Sequence, residues 1–136
     1  MDSGVASSIA QHLKQQQSQI IRAWIDSVRD DPQIKSSRTL SEPELADHLP
    51  RLFDDLIDYL QNSGDEDSTK IVTLEARKHG NQRWRQGYQL TELLREIANI
   101  RRLIMVEGLS PIFRLRPEYS AHQDDGRDLI DQFFEN

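Results

Sequence analysis

The chain contains no cysteine, which excludes a disulfide bond, a thiolate metal site and a cysteine nucleophile. It also lacks any run of the roughly 20 apolar residues that a membrane-spanning helix needs. The first residues, MDSGVASSIAQHLKQQQ, do not have the basic segment followed by an apolar core that is typical of a secretory signal. We therefore expect a soluble, cytoplasmic protein.

Positive charge is in the minority, because 17 lysines and arginines face 23 aspartates and glutamates and give a formal net charge of -6. An acidic surface does not suit nucleic-acid phosphates or an anionic membrane, so we expect neither as a partner. A length of 136 residues is typical of one domain. The sequence thus predicts a single domain over residues 1–136.

Apolar residues recur at helical spacing, and the chain shows no two-residue alternation of the kind that marks a strand. This pattern predicts an all-α domain of five main helices with one or two short ones. The first helix should begin near Asp2 or Ser3 and end before Pro32, since the residue before a proline avoids the helical region. Its apolar stripe consists of Val5, Ile9, Leu13, Ile20, Ile21, Trp24 and Val28. The segment DDPQIKSSRT after it is expected to be a loop.

The start of the second helix has the clearest local signal. Ser41 followed by Glu44 predicts a capping box, and Leu40 and Leu45 stand where a hydrophobic staple forms. Pro50 lies inside the apolar stripe that follows, so we expect the helix to kink or break there.

Three more helices follow from the periodicity. The third should run from about Thr69 to Gln86, and the last should begin near Pro117, after an interruption at EGLSP and a short helical piece at PIFRLRP. The fourth should bury an apolar stripe made of Leu90, Leu93, Leu94, Ile97, Ile100, Leu103 and Ile104. The last carries Tyr119, Leu129, Ile130, Phe133 and Phe134. Two phenylalanines in a final turn would otherwise face solvent. We therefore expect either that they contact a partner chain or that the helix continues in a longer parent protein.

Two Glu-x-x-x-His pairs, Glu44 with His48 and Glu75 with His79, raise the question of a metal site. Helical di-iron proteins use Glu-x-x-His, and zinc proteases place two histidines on one helical turn. Neither spacing is present, so we expect no metal and interpret both histidines as hydrogen-bonded helix residues. No nucleophile elbow or glycine-rich phosphate loop occurs, and no residue stands out as catalytic.

Arginines cluster in the second half of the chain. An anion site is one interpretation, but in an acidic protein we expect them to pair with Glu75, Glu92, Glu96 and the aspartate-rich loops. Arg101 should be partly buried and held by a bidentate partner. The cluster consists of Arg77, Arg83, Arg85, Arg95, Arg101 and Arg102.

The segment HGNQRWRQGYQLTELLREIANIRR has a distinctive order of residues. A histidine is followed four residues on by an arginine, then by glycine and an aromatic residue, Leu-x-x-Leu-Leu-Arg-Glu and a later arginine. This pattern resembles the RsbRD-type N-terminal sensory domain, and the likeness extends over roughly residues 5–108. The matching residues are His79, Arg83, Gly87, Tyr88, Leu90, Leu93, Leu94, Arg95, Glu96 and Arg101.

The resemblance implies a globin-like fold. Domains of this type generally bind no haem and act as dimeric input modules. Such domains precede the output parts of stressosome RsbR-type proteins and of bacterial sensor histidine kinases. It further implies that residues 117–136 form a terminal helix that leads to an output domain. It also implies that the domain binds no cofactor. We expect the homodimer to form through the first and last helices, with Leu129, Ile130, Phe133 and Phe134 at the dimer and signal helix.

Two other functions are open at this stage. One is a haem- or small-ligand-binding sensor that uses His79. The sequence does not fit it well, because haem-binding sensor globins place their proximal histidine about four residues before a comparable glycine, and that position before Gly87 is Arg83 here. The other is a stand-alone acidic protein-interaction module. Whichever function applies, Gly87 should form a tight corner between two helices. Gly80 should allow a neighbouring helix or Trp84 to approach closely.

Overall fold

The structure is a computed structural model that describes residues 3–62, 78 and 80–135. Helices follow one another throughout these residues, and no strand occurs among them. The predicted all-α class is therefore confirmed.

Helix α1, Ser3–Asp30, is the longest element and ends just ahead of Pro32, as the sequence predicts. The predicted apolar stripe is buried along its whole length, apart from Ile21, which is partly buried. Through this stripe α1 packs chiefly against α3 (Leu49–Gln61) and also against α5 (Leu90–Leu103). The stripe therefore forms one wall of the core.

The segment expected to be a loop contains a short 3-10 helix, Lys35–Thr39. Ile34 and Ser37 are completely buried, and the Ser37 hydroxyl donates a 2.9 Å hydrogen bond to the Ile34 carbonyl. Arg29 holds the far end, because its Nη2 donates to the Leu40 carbonyl over 2.7 Å. These contacts fix a segment whose sequence carries mainly turn-type residues.

The capping box at Ser41 and Glu44 is present in both directions at the start of α2, Glu42–Ala46. The Glu44 amide donates to Ser41 Oγ over 3.2 Å, and the Ser41 amide donates to Glu44 Oε1 over 3.1 Å. At Pro50 the sequence predicts a kink or a break, and the structure has a break, since α2 ends at Ala46 and α3 begins at Leu49. The proline occupies the first turn of α3, where its missing amide hydrogen has no intrahelical partner to lose.

Most of the predicted third helix lies outside the described residues, but residues 80–85 are helical, and we label them α4. Beyond α5 the chain continues as a π-helical turn, Ile104–Leu109, and as α6, Ser110–Leu115. The Ser110 amide bonds to the Met105 carbonyl five residues back. The wider turn stands directly before Pro111, whose ring would crowd the carbonyl four residues back in an α-helix.

Gly108 lies within this π-helical turn and faces α1. A Cβ atom placed on Gly108 would overlap the side chain of Leu13. Glycine therefore allows the turn to approach α1 closely, and the predicted interruption at EGLSP is a packed part of the core.

The last predicted helix begins with a 3-10 helix, Pro117–His122, before α7, Gln123–Glu135. Helix α7 packs against α3 and α5. Ile130 is fully buried in the chain's own core and Phe133 is 2% exposed, with the Phe133 ring 5.6 Å from that of Tyr59. The expectation that the final phenylalanines face away from the chain is thus wrong for Phe133, and Phe134 is only partly exposed. Among the helices described here, none is long and apolar enough to cross a membrane.

Candidate functional site

Helix α5 has its polarity inverted over its first two turns. Leu90 and Leu94, predicted to face the core, are 67% and 55% exposed, whereas Glu92 and Glu96 are buried. Only farther along the helix do Ile100 and Leu103 fill the core as predicted. The inversion places two carboxylates inside the protein, where each must find donors.

The corner between α4 and α5 positions one of these donors. Gly87 has a φ of 85°, and the Tyr88 amide reaches back to the Arg83 carbonyl over 3.0 Å while the Gly87 amide bonds to the Trp84 carbonyl over 3.1 Å. This pair of bonds is a Schellman motif, for which glycine is the favoured residue. The predicted corner at Gly87 is confirmed, and it brings Tyr88 next to Arg83.

Arg83 is completely buried and uses its guanidinium to join three parts of the chain. Its Nε donates to Glu96 Oε1 over 2.9 Å, its Nη1 to Gln86 Oε1 over 2.7 Å, and its Nη2 to the Leu45 carbonyl over 2.5 Å. The planar fork of arginine suits such simultaneous contacts. Arg83 thereby links α4 to α2 and α5.

Glu96 receives donors from two further elements. The Tyr88 hydroxyl donates to Glu96 Oε2 over 2.5 Å, while the Tyr88 ring lies 5.0 Å from the Arg83 guanidinium carbon. Trp24, on α1, donates its Nε1 hydrogen to the Glu96 carbonyl over 3.1 Å. We call Arg83, Tyr88, Glu96 and Trp24 the buried network.

Burial dominates the protonation of this network. It raises the pKa of Glu96, although the Arg83 charge and the hydrogen bond from Tyr88 oppose the shift. Burial, together with the hydrogen bond to Glu96, also raises the pKa of the Tyr88 hydroxyl. Tyr88 therefore remains a protonated donor at physiological pH, which fits a structural role better than acid–base chemistry.

Glu92 forms a second inward contact, with the 3-10 helix. Its carboxylate accepts hydrogen bonds from the Ser36 amide over 2.8 Å, the Ser36 hydroxyl over 2.9 Å and the Gln89 amide over 3.0 Å. Burial acts to raise the pKa of Glu92, but the hydrogen bonds from Gln89 and Ser36 outweigh it, and the pKa lies below its ordinary value. Glu92 was expected to pair with an arginine, and these contacts with Ser36 and Gln89 correct that expectation.

Arg95 and Arg101 form ion pairs that join α5 to its neighbours. Arg95 Nε and Nη2 donate to the two carboxylate oxygens of Asp31 over 2.9 and 3.1 Å, and this contact lowers the Asp31 pKa. Arg101 Nε and Nη2 both donate to Oδ1 of Asp131 on α7, over 3.0 and 2.5 Å. The predicted partner of Arg101 is thus present, but it accepts through one oxygen rather than two.

Of the two Glu-x-x-x-His pairs, the structure describes only Glu44 and His48. His79, Glu75 and Arg77 lie outside the described residues. His48 packs edge-on against Trp24, with ring centroids 5.8 Å apart, and Glu44 is engaged in its cap. Within the part of the chain that the structure describes, no group of three or more potential metal ligands occurs.

Gly80 does not have the role that the sequence indicates. A Cβ atom there would lie 3.9 Å from Leu93 Cδ2, an ordinary van der Waals contact. Trp84 is 76% exposed. Gly80 is therefore not required for a close approach to any residue that the structure describes, and the expectation involving Trp84 is wrong.

The predicted motif residues separate into two groups. Arg83, Tyr88 and Glu96 bond directly to one another, with Gly87 shaping the corner between them, while Arg95 and Arg101 lie outside the network. Trp24 as a hydrogen-bond donor, the Leu45 carbonyl and Ser36 also belong to these contacts, and none of the three was predicted. A signal was available, because Glu92 and Glu96 are four residues apart and so share a helix face opposite Leu90 and Leu94.

The comparisons with known proteins identify a family but no individual relative. Neither the curated proteins nor the solved structures give a match, so the globin-like helix order stays a prediction. A family profile described as the RsbT co-antagonist protein rsbRD N-terminal domain matches residues 18–107, more than half of the chain. The matched region includes the whole buried network and α5. The chain therefore belongs to the family of RsbT co-antagonist protein RsbRD N-terminal domains.

Proposed function

We propose that this chain is a non-enzymatic sensory input domain whose last helix, α7, passes a signal to an output domain. Its family consists of N-terminal regulatory domains of stressosome-type signalling proteins. We infer that the parent is a bacterial signalling protein, with a sensor histidine kinase as the parent we favour. A buried network without a free nucleophile agrees with regulation rather than catalysis.

The observation that carries the proposal is the attachment of α7 to α5. Arg101 and Asp131 join the two helices by an ion pair in which both side chains are a little over one third exposed. Ile130 and Phe133 seat the same helix in the core. A change in the position of α5 is therefore transferred directly to α7.

Helix α5 also extends to the buried network. Glu96 and Arg101 lie on the same helix within two turns of each other, so one rigid element touches both the network and α7. A stimulus or partner that favours a second packing of α5 would shift the balance between two positions of α7. No reaction within this domain is needed.

We further propose that the domain forms a homodimer through the outer sides of α1 and α7. Leu129 and Phe134 are only partly buried and are available for such a contact. Ile130 and Phe133 support it indirectly by seating α7 in its own chain. Replacing Phe134 by Gln should weaken the dimer in sedimentation equilibrium, whereas Leu115→Gln, at an exposed site on α6, should leave the dimer constant unchanged. An unchanged constant for Phe134→Gln would contradict this interface.

Charge reversal across the ion pair tests the coupling to α7. In Asp131→Arg the new side chain repels Arg101, and α7 amides should exchange with deuterium roughly three- to tenfold faster than in the original chain. The combined variant Arg101→Asp with Asp131→Arg restores opposite charges and should recover most of the protection. Failure of the double variant to recover, with both proteins folded, would show that the ion pair does not hold α7.

A further inference from the structure

The outward face of α5 is apolar at its start. Leu90 and Leu94 are 67% and 55% exposed, and Ala98, four residues farther on, is also exposed. Residues four apart lie above one another on a helix, so these three form a continuous outer strip. Leu93 and Ile97, both partly buried, border the strip on its inner edge.

The exposed charges that α5 itself carries are positive. Both carboxylates of α5, Glu92 and Glu96, are buried, so its exposed charged residues are Arg95 and Arg102. Arg95 is paired with Asp31, so the positive charge of this face is chiefly that of Arg102, opposite in sign to the net charge of -6 of the whole chain.

Folding alone does not account for this arrangement. A helix that served only its own fold would bury leucines and expose carboxylates, whereas α5 does the reverse over two turns. The buried carboxylates bind the network and the 3-10 helix. Among the residues that the structure describes, the exposed leucines have no corresponding role in the core, and adjoining exposed apolar residues mark interaction surfaces.

We propose that the outer strip binds an amphipathic helix of a partner protein that carries aspartate or glutamate along one flank of its apolar stripe. Apolar side chains of the partner would pack on Leu90 and Leu94 in the manner of a helix in a groove. Its carboxylates would meet Arg102 and the exposed side of Arg95. This inference goes beyond the proposed function, because it concerns α5 and a partner rather than α7 and an output domain.

The charges favour an acidic helix over the other occupants. If two copies of the chain paired through this strip about a two-fold axis, the arginines of one copy would approach those of the other. An anionic lipid surface extends beyond the strip and would be repelled by the acidic remainder of the chain, whereas a single helix contacts the strip alone. An acidic helix matches both the leucines and the arginines.

Two synthetic probes distinguish these possibilities with the full 136-residue chain. One is a fluorescein-labelled amphipathic helix of about 20 residues with leucine at helical spacing and glutamate on the flank. The other has lysine in place of each glutamate. By fluorescence anisotropy the acidic probe should bind at least roughly tenfold more tightly than the basic one.

Variants place the binding on the strip. Leu94→Glu should weaken binding of the acidic probe by roughly tenfold or more, and Arg102→Glu should narrow the difference between the two probes. Leu115→Gln is the matched control, since Leu115 is 76% exposed but lies on α6, and it should bind like the original chain. Leu94→Glu should also unfold in urea at the same concentration as the original chain.

Other outcomes overturn the proposal. Equal binding of both probes would contradict the preference for an acidic helix. Binding that Leu94→Glu leaves unchanged would show that the probe does not bind at the strip. A dimer lost in Leu94→Glu would assign the strip to a second copy, and binding to phosphatidylserine vesicles that requires Leu94 would assign it to a membrane. A large loss of stability in Leu94→Glu would show that the chain itself covers the strip.

Discussion

Arg83 Nε lies 2.9 Å from Glu96 Oε1, and the two side chains are 0% and 1% exposed. Removing two opposite charges from water is unfavourable, and a buried pair is weak evidence of net stability by itself. Removing only one member, however, leaves the other charge buried without compensation. The pair therefore fixes how α4 and α5 meet.

Loss of one member of this pair should be strongly destabilising. We expect Arg83→Met or Glu96→Leu to lower the free energy of unfolding by about 3–5 kcal/mol each. The double variant Arg83→Met with Glu96→Leu should lose clearly less than the sum, because it removes both charges. Urea unfolding followed by circular dichroism at equilibrium measures all three values.

The exposed ion pair between Arg22 and Glu42 provides the comparison. Single replacements there should change stability far less, since exposed pairs are screened by water. If the losses at Arg83 and Glu96 simply added, within about 0.5 kcal/mol, the two side chains would not be acting as a coupled pair.

Gly80 in α4 and Gly87 at its corner should respond to replacement by alanine in opposite directions. Gly87 has a φ of 85°, so Gly87→Ala should cost about 1–2 kcal/mol. Gly80 lies in a helix with ordinary space for a Cβ atom, so Gly80→Ala should stabilise by about 0.5–1 kcal/mol. Thermal unfolding of the two variants measures both changes in stability. A Gly87→Ala variant as stable as the original chain would contradict the Schellman motif at this corner.

Acid should weaken the contact between Glu92 and the 3-10 helix. Because its pKa is lowered in the folded state, the stabilisation from Glu92 is present above its unfolded pKa of about 4.3 and is lost as pH falls through the folded value. The difference in unfolding free energy between the original chain and Glu92→Gln should thus be about 1–3 kcal/mol at pH 7 and shrink at pH 3.

The difference in unfolding free energy between the two proteins isolates the contribution of Glu92. Glu96, whose pKa is raised, affects the pH dependence of stability in the opposite direction, but it is present in both proteins and its effect cancels. Glu107→Gln, at an exposed position on the π-helical turn, should change stability by less than about 0.5 kcal/mol. An equal effect of Glu92→Gln at both pH values would show that the ionised carboxylate is not what Ser36 and Gln89 recognise.

The two tryptophans report opposite environments. Trp24 is 1% exposed and Trp84 is 76% exposed. In Trp84→Phe the remaining emission should move to shorter wavelength and resist acrylamide quenching, while stability changes by less than about 0.5 kcal/mol. Strong quenching of the variant would contradict the burial of Trp24 and its bond to Glu96.

The parts of the fold that local chemistry determines were predictable. The capping box of Ser41 and Glu44, the break at Pro50 and the corner at Gly87 each depend on a few neighbouring residues. The ends of α1 follow from the same kind of signal. Such features need no knowledge of what packs against them.

The candidate site depended on contacts that the sequence does not display. Glu92 binds Ser36, 56 residues away in the chain, and Glu96 binds Trp24, 72 residues away. Periodicity assumes that leucines face inward, so it placed Leu90 in the core and left the carboxylates outside. Phe133 was assigned to a partner because its contact with Tyr59 on α3 was not visible from its own helix.

The measurement that tests the central claim is deuterium exchange of α7 amides in Tyr88→Phe, which removes the hydroxyl bound to Glu96. If the network and α7 are coupled through α5, these amides should exchange at least roughly threefold faster than in Ile34→Val, a core variant that controls for general loss of stability. Equal exchange of α7 in the two variants would contradict the coupling and, with it, the proposal that this domain signals through its last helix.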